Sequence, residues 1–305
     1  MTSTPTDFTI FKSRLNLVGA LELKTALRVG VGRSEAAAGI DLPVVKDVLG
    51  QPFIPGSSFK GALRSHLEAI LRTIQTRLGR NNLACLSVSK PNTLDYAGCL
   101  TPRMVQKMKE DNSYRPAFCA DVDLGNLDLD ARLITCSCRV CRVFGAPWLA
   151  SKALVKDMAV DNQTWYGHFQ SRDGVAIDRD TGTAAEGFKY DFEAVPAGTR
   201  FSFEMVLENA SPAEAGMVLL ALNNFEAGRV PLGGGRSRGL GWVQLLLSWA
   251  KCSYVDETNL LDYLLKDRVL PFDQSNRDEF IKSFIDEEGL TGGEEAASHA
   301  QTDGE

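Results

Sequence analysis

Apolar and polar residues alternate over residues 14–29, with Leu15, Leu17, Leu21 and Leu23 on shared faces, and the pattern predicts a strand. Gly19-Ala20 is expected to bend or bulge it. From Ser58 to Leu78 the period changes. Phe59, Leu63, Leu67, Ile70, Leu71, Ile74 and Leu78 form a core-facing stripe at helical spacing that leaves Lys60 and Arg64 outside the core. Residues 80–152 carry little periodicity and read as an insertion. Order resumes with a strand at Ala153–Val160, followed by a polar, glycine-punctuated segment from Tyr166 to Gly187. Phe188–Val195 and Thr199–Glu208 then read as strands joined by a Pro196-Ala197-Gly198 turn. A helix from Ser211 to Ala227 has Ser211 as its cap and Pro212 at its first position. A glycine-rich loop leads into a last strand, Leu240–Trp249, and two short amphipathic helices are expected around Pro271. Without the insertion the order is strand, helix, strands, helix, strand. It predicts an α+β, ferredoxin-like sheet with helices on one face, the architecture of the RRM fold, although no RNP aromatic signature lies on the strands.

The chain has 305 residues, 44% of them hydrophobic and 24% charged, enough for a sizeable core. No apolar run reaches the roughly 20 residues of a membrane helix, and the N-terminus lacks the order of a signal peptide. A cytoplasmic protein is expected, with no membrane partner. The net charge of −6 conceals an asymmetry, because residues 256–305 hold 14 acids and four bases and leave 25 acids and 29 bases before them. A mildly basic body with an acidic, low-complexity tail remains compatible with nucleic acid.

Two stretches have the composition of phosphate sites. The first is the opening of the long helix, where Ser57, Ser58, Lys60 and Arg64 combine hydroxyls and cations with free amides. The ordinary alternative is a solvated basic face. The second is the loop Gly233–Gly241, in which Gly234, Gly235, Arg236, Ser237 and Arg238 supply close backbone approach, a hydroxyl and two guanidinium forks. It is neither a Walker loop nor GxGxxG, and a tight turn alone does not account for two arginines. Seven cysteines in a chain without a secretory signal do not suggest a disulfide framework. Cys136, Cys138 and Cys141 suit zinc, which takes four ligands; the fourth comes from Cys119, Cys99 or Cys85, and Cys119, nearest in sequence, is the expected one. The resulting site would be structural. The three histidines sit in no catalytic pattern, and Asp41, in a glycine-flanked loop before the long helix, is the acid best placed for chemistry, although a lone Asp there is more often a turn residue.

Three blocks carry a resemblance to a known family: LELKTALRVGVG…GIDLPVVKD…PFIPGSSFKGALRS, GVAIDRDTGTAAEGFKYDFEAVPAGTRF, and PLGGGRSRGLGWVQL. Together, over residues 14–250, they resemble the repeat-associated (RAMP) superfamily, most closely the backbone subunit of type III CRISPR effector complexes. The resemblance implies an RRM-like palm, a β-hairpin thumb and copies of itself or paralogues stacked as a filament on guide RNA. It implies a small helical subunit, a large polymerase-like subunit and other RAMP-type subunits as partners in antiviral defence. By carry-over, Ser57, Ser58, Lys60, Arg64, Gly234, Gly235, Arg236, Ser237 and Arg238 would grip the guide, and Arg179 and Thr181 would contact RNA from the thumb. Asp41 would promote cleavage of guide-paired target RNA with magnesium or manganese. The insertion is similar to that of zinc-bearing relatives, some of which include inactive copies. A non-catalytic scaffold is therefore the alternative, and a guide-processing endoribonuclease ranks below it because such enzymes usually need a histidine. The expected layout is residues 1–79 for the first part of the palm with the guide-binding helix, 80–152 for the zinc insertion, and 153–250 for the thumb and the rest of the palm. A helical extension over 251–286 and a disordered acidic tail over 287–305 complete it.

Overall fold

The computed structural model describes residues 10–30, 41–80, 82–85, 99–119, 122–124, 127–177, 180 and 182–290. Strand β1 (Ser13–Leu23) is the axis of the fold. Its alternate residues Leu15, Leu17, Leu21 and Leu23 are all buried, as period-2 geometry requires when one face of a sheet is covered. It ends six residues before the alternating pattern does, and it runs unbroken through Gly19, where a bend was expected. At that point it changes partners: β9 (Ser253–Asp256) pairs with Ser13–Asn16, and β8 (Val243–Leu247) pairs with Gly19–Leu23. On its other side β1 pairs along its length with β7 (Arg200–Glu208), which pairs with β3 (Ala153–Val155). A two-residue strand, β10 (Leu270–Pro271), adds to β9, and all these pairings are antiparallel. The central order β8-β1-β7-β3 is consistent with the ferredoxin-like arrangement of a split βαβ repeat.

Helices α1 (Gly56–Arg77) and α5 (Pro212–Glu226) belong to one core with the sheet. Phe59, Leu63, Leu67 and Leu71 on α1 are fully buried, the i, i+4 stripe read from sequence. Phe59 joins three elements, its ring centroid lying 5.2 Å from Phe203 on β7 and 4.9 Å from Phe225 on α5. Helix α5 starts with a full capping box, Ser211 and Glu214 each accepting the other's backbone N–H. It is buried nearly all round because α7 (Gln274–Glu287) covers its outer side. The short helix α6 (Leu260–Lys266) precedes α7, so the two helices expected around Pro271 are present. Glu287 and Glu288, expected in the tail, end this folded unit. Acids oppose a helix C-terminal dipole, and here they are offset by Arg139, 2.7 Å from Glu288, and by Arg80, at 3.2 Å. The rest of the tail, residues 291–305, lies outside the described residues.

The insertion is more regular than its sequence suggests. It contains α2 (Pro102–Glu110), α3 (Leu129–Thr135) and α4 (Arg139–Phe144). Leu100, Met104, Val105, Met108, Leu124 and Leu133 form a small core of their own. These helices are too short for their periodicity to stand out. Among the described residues two further pairs of strands lie outside the main sheet: β2 (Phe53–Ile54) with β4 (Met158–Ala159), and the hairpin of β5 (Gln170–Ile177) with β6 (Ala184–Ala194). Strand β5 falls within the segment whose polarity hid it. Among the described residues no helix is long and apolar enough to cross a membrane.

Lys152 and Glu214 are both more than nine-tenths buried and lie 2.5 Å apart, tying the start of β3 to the first turn of α5. Lys152→Met leaves the carboxylate of Glu214 buried without its cation. The expected loss is about 3–5 kcal/mol, read from the midpoint of urea unfolding. A loss below about 1 kcal/mol would mean that the pair behaves like an exposed one.

Candidate functional site

Strand β6 faces two ways, and two of the candidate groups, Asp41 and the glycine loop, meet it. Asp191 Oδ1 accepts the backbone N–H of Asp41 at 2.9 Å, and Asp41 Oδ2 accepts that of Asp191 at 3.2 Å. The reciprocal bonds fix both carboxylates side by side. Next to them, Leu42 bridges Phe192, and the N–H of Glu193 donates to Leu42 O at 3.1 Å. Glu193 is buried, accepts the N–H of Val44 at 3.2 Å and pairs with Lys46 at 2.9 Å. The loop carrying Asp41 is thus sewn to β6 over several residues and is more firmly held than a turn. Asp191 was not read from the sequence. The signal was there, in the acid–aromatic alternation of Tyr190-Asp191-Phe192-Glu193.

Tyr190 and Phe192, on the other side of the strand, wall a half-open cavity of about 540 Å³ whose rim is the glycine loop, including Gly234, Gly235, Arg236, Ser237 and Arg238. Gly235 (φ 73°) and Gly239 (φ 82°), both left-handed, bracket a single 3₁₀ turn, Arg236–Arg238, and its three side chains are exposed. The loop is stitched to the segment after β1 by Gly234 N–H to Arg28 O at 2.8 Å and Gly241 N–H to Ala26 O at 2.9 Å. Arg238 donates to the Tyr190 hydroxyl, which links the loop to β6. The five loop residues expected to act together do lie together.

The start of α1 differs from expectation. Its first amide, on Gly56, donates to Asp157 Oδ1 at 2.8 Å, and Ser58 N–H returns to Pro55 O at 2.9 Å, so part of the anticipated anion cradle is already used. Ser57 is exposed and Ser58 half-buried. Lys60 donates to Ser151 Oγ at 2.7 Å, and burial, reinforced by the charge of Arg64, pushes its ammonium pKa down. Arg64 turns inward. It bonds Glu68 at 2.7 Å, Gly145 O at 2.9 Å and Cys141 Sγ at 3.4 Å. Its position off the apolar stripe is the flank of the helix facing the insertion, which the sequence did not reveal.

The cysteines assemble into a different group from the one expected. Cys85, Cys99, Cys138 and Cys141 bring their sulfur atoms within 4.8 Å of one another, a set able to hold one metal ion and compatible with zinc. Cys119 and Cys136 are joined to each other by a disulfide instead. Nearness in sequence misled because Cys136 ends α3 while Cys138 begins α4, and the change of direction between the helices separates the two sulfurs' surroundings. The pair in CxxC spacing on one helical turn, Cys138 and Cys141, shares the site. Hydrogen bonds from the thiols of Cys141, Cys85 and Cys99 hold Cys138 below the usual thiol range, and hydrogen bonding with Cys138 and Cys141 pushes Cys85 and Cys99 up. Arg64 brings a cation to the same cluster. His66 rests against Phe225 and His168 is exposed, neither bonded to Asp41. Arg179 and Thr181 lie outside the described residues.

The sequence has counterparts among known proteins. The model of the RAMP superfamily matches residues 20–244. The CRISPR system Cms endoribonuclease Csm3 of Methanocaldococcus jannaschii is 25% identical over 246 residues, 76% of this chain and 79% of that protein. The protein of the same name from Enterococcus italicus is 44% identical over 57 residues, 18% of this chain and 27% of its own length.

The two cysteine groups are separable by substitution. Elemental analysis of the purified chain is expected to find about one zinc per molecule. Cys99→Ser should lose most of it, whereas Cys119→Ser should retain it. Retention by the first and loss by the second would restore the set expected from sequence.

Proposed function

The chain belongs to the RAMP superfamily, and from that premise we propose that it is a guide-RNA-binding backbone subunit of a type III CRISPR complex that cleaves paired target RNA through Asp41. Its partners are then guide and target RNA and the other subunits of that complex, including further copies in a filament. The single observation that carries the reading is the clasp between Asp41 and Asp191 at one side of β6, with the cationic glycine loop meeting Tyr190 and Phe192 of the same strand. Both names borne by the relatives, CRISPR system endoribonuclease, agree with it.

In this reading the glycine loop holds guide phosphates with Arg236, Ser237 and Arg238, while Ser57, Ser58 and Lys60 offer a second, weaker contact at the start of α1. Arg64 steadies the cysteine cluster in place of gripping RNA. The hairpin of β5 and β6 serves as the thumb, which separates nucleotides and exposes the 2′-OH beside a scissile phosphate. Zinc in the four-cysteine site ties the start of the insertion to its end and takes no part in chemistry, since four thiolates leave no open position.

Asp41 and Asp191 each keep a carboxylate oxygen outside their mutual bonds, the hard donor type that magnesium or manganese takes. Such an ion, when bound, would neutralise charge developing on the phosphate. The chain's own contribution is rigidity. The backbone bonds of Asp191, Leu42 and Glu193 hold the Asp41 carboxylate at a fixed place, so no reorganisation is needed when charge appears.

Asp41→Ala in complexes assembled on guide RNA is expected to cut target RNA roughly 10²-fold or more slowly while binding it as tightly as before. Asp191→Ala should slow cutting more than Asp191→Asn, which keeps an acceptor for the Asp41 N–H. Undiminished cutting by Asp41→Ala would remove the nuclease assignment, and loss of binding in that variant would make Asp41 a structural residue.

A further inference from the structure

Between β9 and α7 the chain forms an arm that the other described residues leave uncovered. It comprises α6 and β10, and from Leu261 to Pro271 every residue except Tyr263 is exposed. None of the seven residues of α6 is buried. So short a helix is marginal by itself and takes its stability from packing an apolar face. Here that face points outward. Leu261, Leu264 and Leu265 fall at i, i+3 and i+4, one stripe of the helix, and they are 71%, 65% and 77% exposed. Val269 and Leu270, also exposed, follow them along the arm. The inner side is held by Tyr263, whose hydroxyl accepts Arg14 Nη1 of β1 at 3.3 Å. A cavity of about 450 Å³, its lining including Leu154, Val206, Val255 and Val269, lies between the arm and the sheet. Single exposed leucines are ordinary on a protein surface, whereas a continuous stripe of them is the mark of an interface. The arm lies beyond residues 20–244, the part that the superfamily shares.

The charges around the stripe indicate what covers it. Over residues 261–271 they are Asp262, Lys266, Asp267 and Arg268, two of each sign. Asp262 and Lys266 pair along the helix at 2.8 Å, and both stay half-exposed. A rim without net charge gives no pull on a nucleic acid or a strongly charged peptide. It does match its own image. When a second α6 is laid antiparallel on the first with Leu264 at the axis, Asp262 of each copy comes level with Lys266 of the other. The leucine stripe is likewise its own complement, so one surface serves both chains.

We propose that two copies of this chain pair through α6, the leucine stripe of one packed antiparallel on that of the other. The contact is isologous and closes at two copies, unlike the head-to-tail stacking of a filament. It is also small, since a standard interface uses about 20–30 residues a side. Pairing is therefore weak and reversible, with a dissociation constant on the order of 10 μM. Neither Asp41 nor the glycine loop takes part, so the pairing stands apart from the proposed function.

Sedimentation velocity of the purified, RNA-free, full-length chain over roughly 1 to 100 μM tests it. The mass should rise with concentration and level off at two copies. Leu264→Glu, at an exposed position, should raise the dissociation constant at least about tenfold while its circular dichroism melting matches wild type, and Leu264→Met should keep the dimer. Leu264→Cys should give a covalent dimer with a mild oxidant, two thiols losing two protons and two electrons to the oxidant as one interchain disulfide forms. Val48→Cys, at a fully exposed position on another turn, should not. A chain that stays monomeric throughout overturns the inference and assigns the face to a different protein. A dimer that Leu264→Glu leaves intact, growth past two copies that it does not stop, or a covalent dimer from Val48→Cys but not from Leu264→Cys overturns it as well.

Discussion

The two-sided alternation of β6 is the constraint on which the candidate site depends. Successive residues of a strand point to opposite faces, and over Tyr190–Glu193 one face carries two aromatics and the other two acids. The acids reach the segment 41–46, and the aromatics form the wall beneath the glycine loop. A shift of one residue in the pairing of β6 would exchange the faces, placing carboxylates in the cationic cavity and removing the clasp on Asp41. Under the proposed function, this strand sets the position of the cutting carboxylate relative to the held guide. Neither group could move independently of the other.

A second dependence runs through the insertion. Cys85 lies near the start of the insertion and Cys138 and Cys141 open α4 near its end, so the four sulfurs draw its two ends together, and Arg72 of α1 donates to Cys85 O at 3.0 Å. Arg64 reaches from α1 into the cluster, and Arg80 and Arg139 meet Glu288 at the end of α7. The C-terminal extension is therefore braced against the first residue of the insertion and against α4, and it covers α5. An ion held by the thiolates would contribute to folding as well as to local order. Lys152 and Glu214 add a buried charge contact where the insertion returns to the sheet.

Periodic features were legible in the sequence and spatial ones were not. The stripe of α1, the alternation of β1 and β7 and the cap at Ser211 each follow from spacing along one element, and the structure has them. The glycine loop was legible because its chemistry is contiguous. Partner choice was not: Cys85 and Cys99 join Cys138 and Cys141 across a long stretch of chain, which no spacing rule reports. Arg64 shows the same limit, since a cation off the apolar stripe can face water or a neighbouring element, and only the packing of the insertion decides. Asp191 lay inside a block already singled out. Its role depends on which strand Asp41 leans against, a fact of tertiary register.

The central claim is that the two faces of β6 join guide binding to the Asp41 carboxylate. Photocrosslinking of guide RNA bearing photoreactive bases to the intact chain, with the attached peptides identified by mass spectrometry, tests it most directly. The account predicts crosslinks to Tyr190 and to residues 233–238, with crosslinks from paired target RNA nearest residues 41–46. Crosslinks confined to the far side of the sheet, at the polar surface around Arg14 and Lys156 or at residues 253–271, would contradict it.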